Sequence, residues 1–354
     1  MVRTLERSPT PVTAHVGITR SRAARRNRAI AVTSAVAVIA VGLFILTMMI
    51  GSYPLRAVEV VRSVLHLGSD PAVDFIVWDL RLPTAATALA VGMALGVAGL
   101  TFQKLLANPL ASPDFVGVSS GASLFAVASI LVVGGVGVAV SMMALIGALV
   151  GSLLVYVLAW RDGITGYRFI LIGIGVSEFM LSLVGFLIAR ADLFGAREAM
   201  TWLVGSVGQA GRGELLALVA SVAVLLPAAL LLERSMRVLE LGDDAATALG
   251  SRVEAARLSL IAVAVILVAF ATAAAGPIMF VALIAGPVAR RLLGPATSAT
   301  LAAAFVGAII VLMSDLIAVH ALPYVLPTGL VTGAIGAPYL LWLLATTNRA
   351  GRGG

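Results

Sequence analysis

Long apolar runs alternate with short polar segments along almost the whole chain. Ten runs have roughly the 20-residue length that an α-helix needs to cross ~30 Å of hydrocarbon. They lie at about 29–50, 82–103, 115–134, 138–159, 169–189, 215–232, 257–276, 278–293, 299–319 and 325–345. The eighth run is the shortest and is interrupted by Gly286 and Pro287. The pattern predicts an all-α polytopic membrane protein with about ten transmembrane helices.

Basic residues near the ends of spans are retained on the cytoplasmic side of a membrane, so their positions predict the orientation. An even number of spans places both termini on one side. If both termini are cytoplasmic, seven Arg residues of the N-terminal tail and eleven Lys and Arg residues of the inner loops and the C-terminus lie inside, against six outside. This predicts a basic cytoplasmic tail at residues 1–28, a transmembrane domain at 29–346 and a second cytoplasmic tail at 347–354.

The composition fits this topology, with 60% hydrophobic and 12% charged residues among 354. Topology explains most of the net charge of +7, so no nucleic-acid partner is expected. The N-terminal Arg cluster can contact anionic lipid headgroups. No loop is long enough to fold as a catalytic domain, so the chain is not expected to be an enzyme. The absence of cysteine excludes thiolate metal sites, and the three histidines lack metal-ligand spacing.

A polar island, LGDDAATALG at 241–250, separates two apolar runs. Asp243 or Asp244 can cap a helix start, and Gly250 can end the helix. Ala245, Ala248 and Leu249 share one face at helical spacing. A helix this short must rest on something. It either lies against the bundle or the membrane interface, or it docks into a groove of a cytosolic partner.

The island resembles the coupling-helix signature LG-x-x-x-A-x-x-LG of permeases from iron-siderophore and vitamin B12 ABC importers, the FecCD type. Four further blocks resemble this family in the right order, and together the five cover about residues 80–350. These blocks are RLPTAATALAVGMALGVAGLTFQKLLANPLASPDFVGVSSGAS at 81–123, WLVGSVG at 202–208, AGPIMFVALIAGPVARRLLGP at 275–295 and LPTGLVTGAIGAPYLLWLL at 326–344.

The resemblance implies the type II ABC importer permease fold of the vitamin B12 importer. It implies a second permease copy, or a paralogous permease, around a central path. An external substrate-binding protein would deliver the chelate, and two ATPase subunits would grip the coupling helix. The chain has no G-x-x-x-x-G-K-[ST] motif, so ATP and Mg²⁺ would bind to those partners, with no cofactor in this chain. The coupling residues would be Leu241, Gly242, Asp243, Asp244, Ala245, Ala248, Leu249 and Gly250.

In that family the binding protein docks through acidic residues onto outer arginines. Arg81 matches one of these positions, whereas the other two hold Thr84 and Val319 here. Substitutes would be Arg190, Arg197 or His320, or the missing charges could belong to a different permease chain. Arg81 could instead be an interfacial anchor.

Small residues and two intramembrane acids are candidates for the path and its gate. The path residues suggested by the resemblance are Gly117, Ser119, Ser120 and Gly121, and the kink at Gly286 and Pro287 either shapes an inner gate or packs. Glu178 and Asp315 are expected to be buried at membrane depth, where an ionisable group is a functional candidate. Asp315 could instead cap or pair within the bundle, and Glu178 could face the path, pair with an arginine or be protonated.

An iron-siderophore complex is the expected substrate, because GIGVSEF and the W-x-x-GS segment resemble the ferric-siderophore branch. Cobalamin and haem remain alternatives within the same fold. A proton-coupled secondary transporter that uses Glu178 and Asp315 is an alternative of a different class.

Overall fold

The computed structural model describes residues 11–51, 53–68, 70–161, 166–294, 298–321 and 323–350, and every regular element in these ranges is helical. The α-helices are α1 Pro11–Met49, α2 Ala57–Val64, α3 Pro71–Phe75, α4 Leu82–Leu105, α5 Val118–Ala128, α6 Val138–Ala159, α7 Gly166–Arg190, α8 Leu193–Val204, α9 Arg212–Leu231, α10 Glu233–Leu239, α11 Asp243–Ala248, α12 Val253–Ala275, α13 Val281–Leu293, α14 Thr300–His320 and α15 Thr328–Ala350. π-Helical turns at Ile76–Arg81 and Ser129–Val133 join α3 to α4 and extend α5.

Each of the ten predicted spans coincides with one of these helices, namely α1, α4 to α7, α9 and α12 to α15. Within the described ranges, seven helical stretches are long and apolar enough to cross a membrane. The apolar stretches Val118–Val133 and Thr328–Leu343 are shorter. Helix α13 has 13 residues and is about 20 Å long, which is less than the hydrocarbon thickness. The predicted all-α architecture of about ten spans is confirmed.

Two helices begin earlier than the apolar pattern predicts. Helix α1 begins at Pro11, so residues 11–28 of the predicted tail are helical and continuous with the first span. The second span begins at Pro71 rather than near residue 82, because Asp70 caps it by accepting a hydrogen bond from the Ala72 amide (2.9 Å). A proline at the first helical position has no amide to leave unpaired, so it favours this start.

Helix α4 lies at the centre of the bundle. In its most apolar 18-residue window 83% of residues are buried, against 22% in α7 and 17% in α9. Helix α4 contacts α14 along much of its length and also packs against α12, α13 and α9. Helices α7 and α9 therefore expose most of their surface, whereas α4 is enclosed by its own chain.

Glycine allows α4 to approach its neighbours closely. A Cβ atom at Gly92 or at Gly307 of α14 would overlap the carbonyl oxygen of the other residue. One turn further along, Gly96 faces the Ala303 backbone, and Gly99 faces Ala282 of α13. Small residues at such interfaces bring backbones into van der Waals contact, which drives helix association where lipid is as apolar as the protein.

Gly307→Val should destabilise the protein by at least ~2 kcal/mol, because the added side chain forces α4 and α14 apart. The matched control is Gly42→Val in α1, where an added Cβ meets nothing within 4 Å. The measurement is the temperature at which half of the detergent-solubilised protein stays monodisperse on size exclusion. Equal transition temperatures for the two variants would contradict the close contact.

Candidate translocation path and coupling helix

Residues 276–280 interrupt the helical structure between α12 and α13. Gly276 (φ +70°) and Phe280 (φ +67°) have left-handed backbone conformations there. Non-helical backbone at membrane depth is tolerated only where protein buries it or where it lines a water-filled cavity. Residues 277–280 lie on the wall of a cavity of about 600 Å³. We therefore take this cavity as the candidate translocation path.

The cavity has a hydroxyl-rich wall and an apolar wall, and none of its lining residues is basic. The hydroxyl groups belong to a bonded network in which Asp114 accepts hydrogen bonds from Ser112 (2.8 Å) and Ser119 (2.6 Å). Ser120 donates to Ser177 of α7 at 3.1 Å, which ties α5 to α7. The apolar wall is formed by Leu181, Leu203, Ile278, Met279, Phe280, Leu283 and Leu340.

The predicted path residues divide between two sides of α5. Ser119 and Ser120 line the cavity, so their role in transport stays a prediction with a consistent location. Gly117 and Gly121 instead lie against α6, where a Cβ at Gly121 would overlap the Gly147 carbonyl oxygen. The two glycines therefore allow close helix packing and do not line the cavity.

Gly286 and Pro287 lie against the inner end of α4, at Gln103. A proline has no amide hydrogen, so Pro287 leaves the carbonyl of Leu283, four residues earlier, without its helical donor. The buried Gln103 side-chain amide donates to this carbonyl at 3.1 Å. Gly286 makes room for this contact, since a Cβ there would overlap Gln103 Oε1. The kink is thus bonded to α4, and Gln103 is a residue that the sequence analysis missed.

The polar island forms the short helix α11, but its cap differs from the prediction. Neither aspartate caps the helix, because the N-cap is Gly242 in a conformation (φ +94°) that favours glycine. Gly250 follows the helix with φ +78°, as its predicted role as a stop requires. Asp243 instead accepts two hydrogen bonds from Arg257 of α12, at 2.8 and 3.0 Å.

The apolar face that spacing indicates for α11 is exposed rather than packed against the bundle. Ala246 is fully buried, whereas Ala245 and Ala248 are exposed. Leu241 and Leu249, at the two ends of the island, are 63% and 66% exposed. The small Ala246 fits against the bundle, so the larger apolar groups are left on the surface.

The three outer positions aligned with family arginines line one cavity of about 340 Å³, together with His320 and Asp315. Arg81 does not point freely into it, because its guanidinium donates to the carbonyls of Met48 (2.7 Å), Met49 (3.1 Å) and Tyr53 (2.5 Å). These bonds satisfy carbonyls at the C-terminal end of α1 and the loop after it. The structure thus favours the anchoring role of Arg81 over docking.

Arg190 and Arg197 are exposed at the end of α7 and on α8. Arg190 stacks over the Phe186 ring, with its guanidinium carbon 5.4 Å from the ring centroid. Neither arginine forms an ion pair with a carboxylate in the part of the chain that the structure describes. They remain available to acidic residues of another protein.

A family model described as the FecCD transport family matches residues 38–346. The chain belongs to the FecCD transport family. The resemblance that five ordered segments indicated is therefore confirmed. With its apolar helices, this FecCD chain is a multi-pass transport permease of the cytoplasmic membrane.

Characterised relatives match most of the chain. The ferric enterobactin transport system permease protein FepG of Escherichia coli K12 is 42% identical over 80% of this chain and 86% of its own length. The iron(3+)-hydroxamate import system permease protein FhuG of Bacillus subtilis 168 is 36% identical over 78% of this chain and 85% of its own. The achromobactin transport system permease protein CbrC of Dickeya dadantii 3937 is 38% identical over 83% of this chain and 85% of its own length.

Two solved structures share the fold. An inward-facing conformation of a protein assigned to the metal-chelate type of ABC transporter superposes with a TM-score of 0.80 at 26% identity, covering 89% of this chain and 98% of its own. PsaBC from Streptococcus pneumoniae matches with a TM-score of 0.53 at 19% identity over 80% of this chain and 94% of its own, which bears on the fold alone.

The two intramembrane acids of this FecCD permease have different surroundings. Asp315 is buried as predicted and accepts a hydrogen bond from Thr328 at 3.0 Å, joining α14 to the start of α15. Glu178, at the middle of α7, was expected to be buried but is exposed on the surface of the single chain. Depth in the membrane predicts burial only where another helix covers the same face, and in the single chain the face of α7 that carries Glu178 is exposed.

Gln103→Leu should cost about 1–3 kcal/mol of stability, because it leaves the Leu283 carbonyl buried without a donor. In a Pro287→Ala background the backbone amide of residue 287 can reach this carbonyl, so Gln103→Leu should cost clearly less there. The measurement is a double-mutant cycle on thermal unfolding in detergent. Additive losses would contradict the assignment of Gln103 as the substitute donor.

Proposed function

We propose that the chain is the permease subunit of a binding-protein-dependent ABC importer for ferric siderophores. Two permease chains enclose the path, two cytosolic ATPase subunits bind ATP and Mg²⁺ and drive alternating access, and an external binding protein delivers the chelate. The observation that carries the proposal is family membership together with relatives at 36–42% identity whose names specify iron-chelate transport.

The cavity supports a bulky chelate as the substrate. A volume of about 600 Å³ is within the size range of small-molecule sites. Neutral hydroxyls and apolar side chains form its lining, apart from Asp114, which accepts hydrogen bonds from two serines. Such a wall offers weak contacts that a large ligand can leave again. Cobalamin and haem are the alternative cargoes, and uptake competition among ferric siderophores, cobalamin and haem separates them.

The exposed ends of α11 support contact with an ATPase subunit. Leu241 and Leu249 are large apolar side chains in water on the predicted cytoplasmic face. A short helix that offers apolar anchors to a groove is a recurrent mode of recognition. The absence of a phosphate-loop motif in the sequence agrees with ATP hydrolysis by a partner.

Glu178 supports a second permease chain beside α7. An ionised carboxylate in the middle of a span costs several kcal/mol against hydrocarbon, so it faces a bundle interior or water. Neighbouring positions on the same helix, Ser177 and Leu181, line the cavity. A partner permease packed over this face would enclose Glu178 together with the path.

The proton-coupled alternative requires Glu178 and Asp315 to act as a relay. Asp315 is held by Thr328 and lines the outer cavity of about 340 Å³, which Glu178 does not line. No described cavity contains both acids, which favours the ATP-driven mechanism.

Ala245→Trp combined with Leu249→Lys should abolish capture of the ATPase subunits by a tagged permease. Both positions are exposed, and Asp243 keeps its bonds to Arg257, so folding is preserved. The matched control is Leu67→Lys, since Leu67 is 63% exposed and lies on the side predicted to be external. Siderophore uptake by a variant that binds no ATPase would support the secondary-transporter alternative.

The natural absence of cysteine makes single thiols informative about the partner of α7. Ser182→Cys, on the exposed face one turn from Glu178, should cross-link two permease chains through a short bifunctional thiol reagent. Leu153→Cys, at a 61% exposed position of α6, should remain monomeric. A product with a different permease would indicate a heterodimer, and no product in assembled complexes would contradict the interface.

A further inference from the structure

Three carboxylates along the segment from α10 to α11 each contact a different element of the transmembrane bundle. Glu233 begins α10, Glu240 follows it and Asp243 begins α11. Glu233 contacts the region where α14 begins, Glu240 contacts α4, and Asp243 contacts α12. Helices α14 and α12 both pack against α4 at the centre of the protein.

Glu233 is a buried residue at the inner end of α9 and α10. One of its carboxylate oxygens accepts hydrogen bonds from Thr300 (2.7 Å) and from Ser298. Thr300 is the first residue of α14, and Ser298 lies two residues before it. Truncating a buried, hydrogen-bonded carboxylate leaves its partners unsatisfied, so this contact fixes α10 against α14.

Glu240 pairs with Lys104 at the last turn of α4, with an N–O distance of 3.1 Å. The Lys104 side chain is only 9% exposed, whereas that of Glu240 is 41% exposed. A mostly buried ammonium has few alternatives to this carboxylate, so the pair is more restrictive than a surface ion pair. Gln103, the preceding residue, holds the α13 kink, so the same end of α4 contacts both regions.

Asp243 accepts two hydrogen bonds from the guanidinium of Arg257, and the Arg257 side chain is only 13% exposed. The same guanidinium also pairs with Glu254 at 2.9 Å. A guanidinium fork held on two carboxylates has a fixed orientation. Arg237, an exposed residue of α10 between Glu233 and Glu240, has a side chain that forms no hydrogen bond or ion pair with the described residues.

We propose that Glu233, Glu240 and Asp243 are positioning residues that transmit movement of α11 to α14, α4 and α12. This rests on the proposed function, in which an ATPase subunit moves α11. With only Ala246 buried, α11 itself has little apolar contact with the bundle. Displacement of the helix therefore reaches the central helices through these charged contacts, and through Lys104 and Gln103 it reaches the kink of α13 beside the cavity.

The test compares Glu240→Gln and Asp243→Asn with the control Arg237→Gln in permease reconstituted with its ATPase subunits and ferric-siderophore-loaded binding protein. The readouts are ATPase retained on the tagged permease, ATP hydrolysis and siderophore uptake. The first two variants should keep the ATPase bound but lower uptake per ATP at least about five-fold, the lower end of usual coupling strengths. The control should match wild type.

The double variant Lys104→Glu with Glu240→Lys should have a higher uptake per ATP than either single variant, because the charge exchange recreates the ion pair between positions 104 and 240. Unchanged uptake per ATP in Glu240→Gln and Asp243→Asn would overturn the inference, and so would loss of ATPase binding, which would place the acids in the docking surface. A wild-type permease that retains no ATPase would refute the proposed function instead.

Discussion

Close contact between the backbones of α4 and α14 is the constraint on which the other features depend. In a bilayer the hydrophobic effect does not favour one helix neighbour over lipid, so association relies on van der Waals contact between small residues. Gly92, Gly96 and Gly307 provide that contact. It fixes α4 in the middle of the bundle, with Arg81 at its outer end bonded to α1 and Gln103 at its inner end bonded to α13.

The hydrophobic pattern was sufficient to predict the ten spans, because the bilayer imposes a length that composition reveals. It placed the second span too late, since the pattern does not register the cap that Asp70 forms ahead of Pro71. The island at 241–250 was recognised, but its spacing left open whether its apolar face meets the bundle or a partner. Helical spacing groups residues by face but does not tell which face meets the protein, and here the bundle has room only for Ala246.

The site was predictable only in part, because several roles depend on contacts between distant segments. Ser119 and Ser120 lie on the cavity wall, whereas the nearby Gly117 and Gly121 pack against α6. These four residues lie within one short stretch, so their sequence positions alone do not tell which of them line the cavity. Gln103 was missed although a signal existed. Pro287 implies a carbonyl without its helical donor, and Gln103 is a strongly polar residue in an apolar run. The exposure of Glu178 was not predicted, because its burial was inferred only from its depth in the membrane.

The exposed carboxylate on α7 also bears on how such a permease is made. In the single chain Glu178 lies on the exposed surface of α7, in the middle of a span, where a carboxylate that faces lipid costs free energy. In the proposed assembly, packing against a partner permease would relieve that cost, so the charge would favour assembly without adding a specific bond. An orphan chain would then be the less stable species in the membrane, which would link its lifetime to the supply of its partner and help to balance subunit numbers during biogenesis.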